Sequence, residues 1–155
     1  MLETMLNGSL VEVSGLDAEW LLDLAADTEV RERQAGRAKL RVAAQWCVLH
    51  PATEESGFVT WSDTGLPGLC PEDEALGGEG TPLVAAFTPE PFAAALGVST
   101  LTGLQLLADA LNLQHRLPRT WAAVEALTVA PWKARKIAQA THDLSKAAAD
   151  SGLPR

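Results

Sequence analysis

A chain of 155 residues that is 47% hydrophobic holds enough apolar side chain for one buried core and too little for two ordinary domains. Its formal charge of -8 is unevenly spread: residues 1–90 carry 5 Lys/Arg against 16 Asp/Glu, a balance of -11, while 91–148 carry 6 against 3, a balance of +3. Phosphate neutralisation is the sequence-independent part of nucleic-acid affinity, so only the second part is open to such a partner.

Two cysteines, Cys47 and Cys70, cannot build a disulfide scaffold. No apolar run reaches the roughly 18 residues of a transmembrane helix. The N-terminus, MLETMLNGSLVEV, lacks the basic flank and continuous apolar stretch of a signal peptide. A cytoplasmic protein with no membrane partner is expected.

Ala and Leu dominate, Tyr is absent and β-branched residues thin out after Thr102, so the expected fold is all-α. One helical domain, 1–155, is expected: a long helix over 14–50, an acidic Gly/Pro-rich loop over 51–80 and a bundle of short helices over 81–150. Ser14 and Asp17 form a candidate capping pair for the long helix. From Asp17 to Leu49 only Gly36 interrupts. Leu21, Leu24, Thr28, Arg31, Ala35, Ala38, Val42, Gln45 and Leu49 recur at three- and four-residue steps, giving a stripe that can be buried although Arg31 and Gln45 spoil a strict coiled-coil seam. Such a helix would run about 50 Å and either spans a bundle or bends near Gly36. Its charged middle, EVRERQAGRAKLR, is expected to be a solvated face. Cys47 reads as a small buried hydrophobe. Cys47 and His50 stand at i, i+3, and His115 or Cys70 could complete a metal site, but no second CxxC or HxxxH pair supports one.

Pro51 ends the helix. The loop that follows has no sustained helical period, and Phe58–Trp61 gives a short strand at most. Asp63-Thr64-Gly65 matches the aspartic-protease tripeptide, but that chemistry needs two carboxylates on paired β-loops, so chance occurrence is the expected explanation. Gly77-Gly78-Glu79-Gly80 lacks the Lys-Ser/Thr of a phosphate loop. With no nucleophile beside a base, no metal cluster and no cofactor motif, the chain is not expected to be an enzyme.

Thr81-Pro82 and Thr88-Pro89 each place a hydroxyl before a proline suited to the first helical position, so each should open a short helix. The second runs over Pro89–Leu96, and further helices are expected over Thr100 to about Arg116, Pro118–Ala126 and, after a turn at 127–129, from Pro131, with Ser145 capping a last one. Two segments have a helix-turn-helix outline. In FAAALGVSTLTGLQLLADAL, Gly97 supplies a positive φ for the turn and Ser99 opens the second helix. Gly103 stands where a branched residue should pack, so Leu101 and Leu104 must serve, and residues 100–111 carry no cation.

The second pair, 118–126 and 131–141, places Ala134, Ile137, Ala138 and Thr141 on one arc and Lys133, Arg135 and Lys136 outside it. With Arg116 and Arg119 entering the preceding helix, these make a candidate nucleic-acid-binding patch beside a helix N-terminus. A solvated face, or pairing with the chain's own acids, is the competing reading. Trp132 falls on the outward arc with Lys136, and packing under a neighbouring helix is its expected fate. Trp46 and Trp121 need only a core.

The motifs Gly80-Thr81-Pro82, Leu96-Gly97-Val98-Ser99, Leu107-Ala108-Asp109-Ala110, His115-Arg116-Leu117-Pro118 and Pro131-Trp132-Lys133-Ala134-Arg135 closely resemble a domain of unknown function. It lies upstream of HNH nuclease domains in many actinobacterial proteins and is called the HNH-endonuclease-associated repeat family. The long helix and its ending WCVLHP fit the N-terminal part of that family, so the resemblance covers nearly the whole chain. Full-length relatives continue into a C-terminal HNH domain that holds a divalent metal and makes them nucleases. No His-Asn-His pattern is present here, so the resemblance carries over no catalytic residue. It implies a truncated or decayed copy that keeps only the non-catalytic accessory domain. The expected partners are DNA, through Arg116, Arg119, Lys133, Arg135 and Lys136, a second copy or another chain, through the long helix, and a separately encoded nuclease domain.

Overall fold

Helix takes up most of the chain, and the fold is all-α. The computed structural model describes residues 3–6, 9–52 and 75–150. The strand expected at Phe58–Trp61 and the Asp63-Thr64-Gly65 tripeptide lie outside the described residues, as does Cys70. The chain was read from sequence as one domain; it divides by its internal contacts into two compact units, Met1–Ala35 and Gly36–Arg155.

The first unit begins with two strands, β1 (Glu3–Leu6) and β2 (Ser9–Glu12), paired antiparallel with Leu6 opposite Ser9. A 310 turn, Val13–Gly15, leads into helix α1 (Ala18–Leu49), whose first half belongs to this unit. The cap differs from expectation. Ser14 Oγ donates to Glu12 Oε1, and Asp17 Oδ1 accepts from the Trp20 amide at 3.0 Å, so Asp17 alone satisfies a first-turn donor.

The second unit holds the rest of α1 with α2 (Pro89–Leu96), α3 (Thr100–Arg116), α4 (Pro118–Glu125), α5 (Pro131–Ala140) and α6 (Lys146–Asp150). Thr81-Pro82 opens no helix; Val84 instead forms a β-bridge with Pro51. Ser145 caps α6 as expected, accepting from the Ala148 amide.

α1 buries Leu40, Ala43, Ala44 and Cys47 rather than the expected stripe, leaving Ala38, Val42, Gln45 and Leu49 exposed. Small residues explain the choice. A Cβ on Gly36 would lie 2.9 Å from Pro131 Cβ, so glycine lets α1 approach the start of α5, and Ala43 and Ala44 continue that flat face. Arg37 and Arg41, in the charged middle, turn to α4: Arg37 Nη1 donates to the Glu125 carbonyl at 2.8 Å and Arg41 pairs with the Glu125 carboxylate. That pairing holds the Glu125 carboxyl below its ordinary range.

α3 is the centre of the unit. Every residue from Leu106 to Leu113 is buried, so the helix is covered on all sides. It meets α2 across a 107° bend, and the two helices touch at Gly103, where a Cβ would lie 2.6 Å from Ala93 Cβ. Gly103 is thus the contact itself, and Leu101, expected to pack in its place, is 64% exposed.

The turns after α2 and α4 are alike. Val98 and Gly97 amides reach back to the Ala93 and Ala94 carbonyls, and Thr128 and Leu127 amides to those of Ala123 and Val124. Both are Schellman endings with a left-handed residue, Gly97 (φ 66) in one and Leu127 (φ 59) in the other.

Candidate nucleic-acid interface

Burial on all sides leaves α3 with three polar side chains inside the protein, Asp109, Asn112 and Arg116. Their i, i+3, i+7 spacing aligns them along one stripe, and each must find partners there. α5 and the residues after it supply most of them. Asp109 Oδ2 accepts from Arg135 Nε at 2.7 Å and from Gln139 Nε2 at 2.8 Å. Burial raises the Asp109 carboxyl above its ordinary range against the opposing pull of these two donors. Arg116 Nη1 donates to Asn112 Oδ1 and the His142 carbonyl at 3.0 and 2.9 Å, while Nη2 donates to the carbonyls of Thr141 and Leu144. Asn112 Oδ1 also accepts from the Gly78 amide at 2.8 Å. Any side chain at Gly78 would collide with the Arg116 guanidinium.

Two expected phosphate contacts are corrected by this stripe. Arg116 is 0% exposed and serves as a C-terminal cap on α5, where a cation meets the negative end of the helix. Arg135 is held by Asp109. The helix N-terminus expected beside the patch is also closed to an anion, because Pro131 is buried against Gly36.

Fixing α5 in this way sets its rotation. Pro131, Ala134 and Ala138 face the core, and Ile137, expected with them, is 42% exposed. At about 100° per residue, Trp132, Lys133 and Lys136 fall on the side opposite the buried three. Trp132 is 53% exposed, against the expectation of core packing. Its body cannot reach the interior from that side of a helix anchored by Arg135 and Arg116. Both lysine Nζ atoms lie 5.4 Å from the centre of its ring, and neither lysine forms an ion pair among the described residues. Arg119 is exposed on the first turn of α4 and likewise has no carboxylate partner among them. The other tryptophans read as core residues, Trp46 and Trp121, do pack against it, with Trp46 Nε1 donating to the Thr88 carbonyl.

A cleft of about 570 Å³ lies on the other flank of α5, lined in part by Gln105, Asp109, Gln139, His142 and Asp143. Its two carboxylates make it a poor place for phosphate. No group of three or more His, Cys, Asp or Glu suited to a metal occurs among the described residues. Cys47 is buried, and burial pushes its thiol up to about 11; His50 instead bonds the Trp46 carbonyl and lies against that indole. No single helix is long and apolar enough to cross a membrane among the described residues.

Comparison of the chain with protein-family models, curated proteins and solved structures gives no match. Two of the sequence motifs meet in space, since Asp109 of Leu107-Ala108-Asp109-Ala110 holds Arg135 of Pro131-Trp132-Lys133-Ala134-Arg135.

Proposed function

We propose that the chain is a non-catalytic accessory domain of an HNH-endonuclease-type protein that holds nucleic acid on the outer face of α5. Lys133 and Lys136 are its phosphate ligands and Arg119 a further one. Arg116 and Arg135 act one step back, by fixing the helix that presents them. The observation that carries this reading is the pair of lysines without carboxylate partners among the described residues, grouped around one exposed indole on the most basic part of an otherwise acidic chain. Two to three phosphate contacts predict that duplex affinity falls about 10- to 40-fold between 50 and 200 mM salt. A fluorescence-anisotropy titration of labelled DNA tests this: the Lys133→Glu, Lys136→Glu double variant should lose binding. A variant that binds like wild type, or binding indifferent to salt, contradicts the reading.

A second reading is self-association through α1, favoured by the exposed Ala38, Val42, Gln45 and Leu49 at alternating four- and three-residue steps. Sedimentation velocity tests it. A dimer weakened by Val42→Glu supports it, and a monomer at every concentration removes it.

A further inference from the structure

The outer face of α5 carries an aromatic ring as well as cations, and the ring points to the form of nucleic acid it meets. Resting on the phosphate-binding reading above, we infer that Trp132 is a stacking platform for an unpaired base, so that this face takes single-stranded rather than duplex nucleic acid.

On the outward arc, Trp132, Lys133, Lys136 and Ala140 include no Asn, Gln or Arg able to pair with base edges in a major groove, and Gln139, exposed at the edge of that arc, has its amide nitrogen bonded to Asp109. A duplex laid on this helix would meet only the two ammonium groups, with the half-exposed indole facing phosphate and gaining no partner. A single strand offers something to each group. Its bases have free π-faces, and its phosphates run close beside them.

The two ammonium groups each sit 5.4 Å from the ring centre, so they are at most twice that distance apart and can meet phosphates flanking one stacked base. Entry of a base displaces at least one lysine from the ring, giving up an exposed cation–π contact worth about 2- to 5-fold in an equilibrium. Stacking on an aromatic side chain returns about 5- to 100-fold per base, and the displaced lysine gains a phosphate. The exchange favours the base.

The test uses the full chain and fluorescein-labelled oligothymidylate, alongside a duplex of equal length, at low salt. Wild type should bind the single strand about 10-fold tighter. Trp132→Ala should weaken single-strand binding by about 5- to 100-fold and leave duplex binding nearly unchanged, and Trp132→Phe should restore most of the loss. Trp132 is outside the core, so the alanine variant keeps its fold, which circular dichroism checks. If Trp132→Ala binds the single strand like wild type while the double lysine variant does not, the stacking role is wrong and the phosphate role stands. If wild type binds neither probe, the phosphate reading itself has failed. If polyglutamate competes as well as unlabelled oligothymidylate, the face is a site for an acidic protein and both are overturned.

Discussion

Arg116→Met separates a structural arginine from a nucleic-acid contact. The substitution keeps most of the stem volume but removes every donor, stranding the Thr141, His142 and Leu144 carbonyls, while Asn112 Oδ1 keeps the Gly78 amide. Exchanging a buried charge for an apolar group is often harmless when its partners are exchanged too. Here the partners are main-chain carbonyls at a helix end, which cannot be removed. Some regain water, because Leu144 is exposed and Thr141 and His142 are half-buried. Two acceptors left dry cost about 1–3 kcal/mol each, and the lost attraction to the negative end of α5 adds roughly 0.3–2 kcal/mol. A loss of about 2–8 kcal/mol is the result, a large share of a typical stability of about 5–15 kcal/mol. Urea melts followed by circular dichroism measure it, and a fall in Tm of about 5–30 °C should accompany it. Arg116→Lys restores the charge without the planar fork and should recover roughly half, while its nucleic-acid affinity stays at the wild-type level. Arg116→Met costing less than about 1 kcal/mol would refute the capping role, and a folded Arg116→Lys protein with weakened binding would refute the claim that Arg116 does not touch the ligand.

Gly36→Ala and Gly103→Ala should each destabilise by about 1–3 kcal/mol from overpacking, offset by up to about 1 kcal/mol of helix propensity, because the added methyl meets Pro131 at 2.9 Å or Ala93 at 2.6 Å; thermal melts that show stabilisation would place those helices further apart. His115 is held below its ordinary 6.5 by burial and by the charge of Lys146. A histidine with a depressed folded value contributes stability that is present above 6.5 and is lost as pH falls through the folded value. His115→Gln should therefore flatten the dependence of Tm on pH below about 6.5, and an unchanged slope would assign that dependence elsewhere.

The helical punctuation was legible because it is local. Pro89, Pro118 and Pro131 sit at helix starts, Ser99 and Ser145 accept from first-turn amides, and Gly97 takes the left-handed turn. The N-terminal strand pair was not anticipated, because alternation over four residues does not stand out against the helical composition around it. The turn after Ala126 was legible in place but not in form: it closes with the same pair of backbone hydrogen bonds as the turn at Gly97, and nothing in Leu127 announces a positive φ. What could not be read locally was which face of a helix is covered. α1 offered an apolar stripe and a small-residue stripe, and the choice fell to Gly36, Ala43 and Ala44 because close approach needs a partner helix that periodicity does not contain. Likewise the five candidate cations were equivalent in sequence. They divided only once Asp109 claimed Arg135 and the end of α5 claimed Arg116. That division turned Trp132 outward and left the two lysines around it.

The most direct test of the nucleic-acid face is a 15N-correlation titration of the full chain with oligothymidylate, followed at the tryptophan indole N–H groups. The Trp132 indole and the backbone amides around Lys133 and Lys136 should shift together with added oligonucleotide, while the Trp46 indole, bonded to the Thr88 carbonyl inside the protein, stays in place. Shifts that leave the Trp132 signal and its neighbours unmoved and gather on another surface would contradict it.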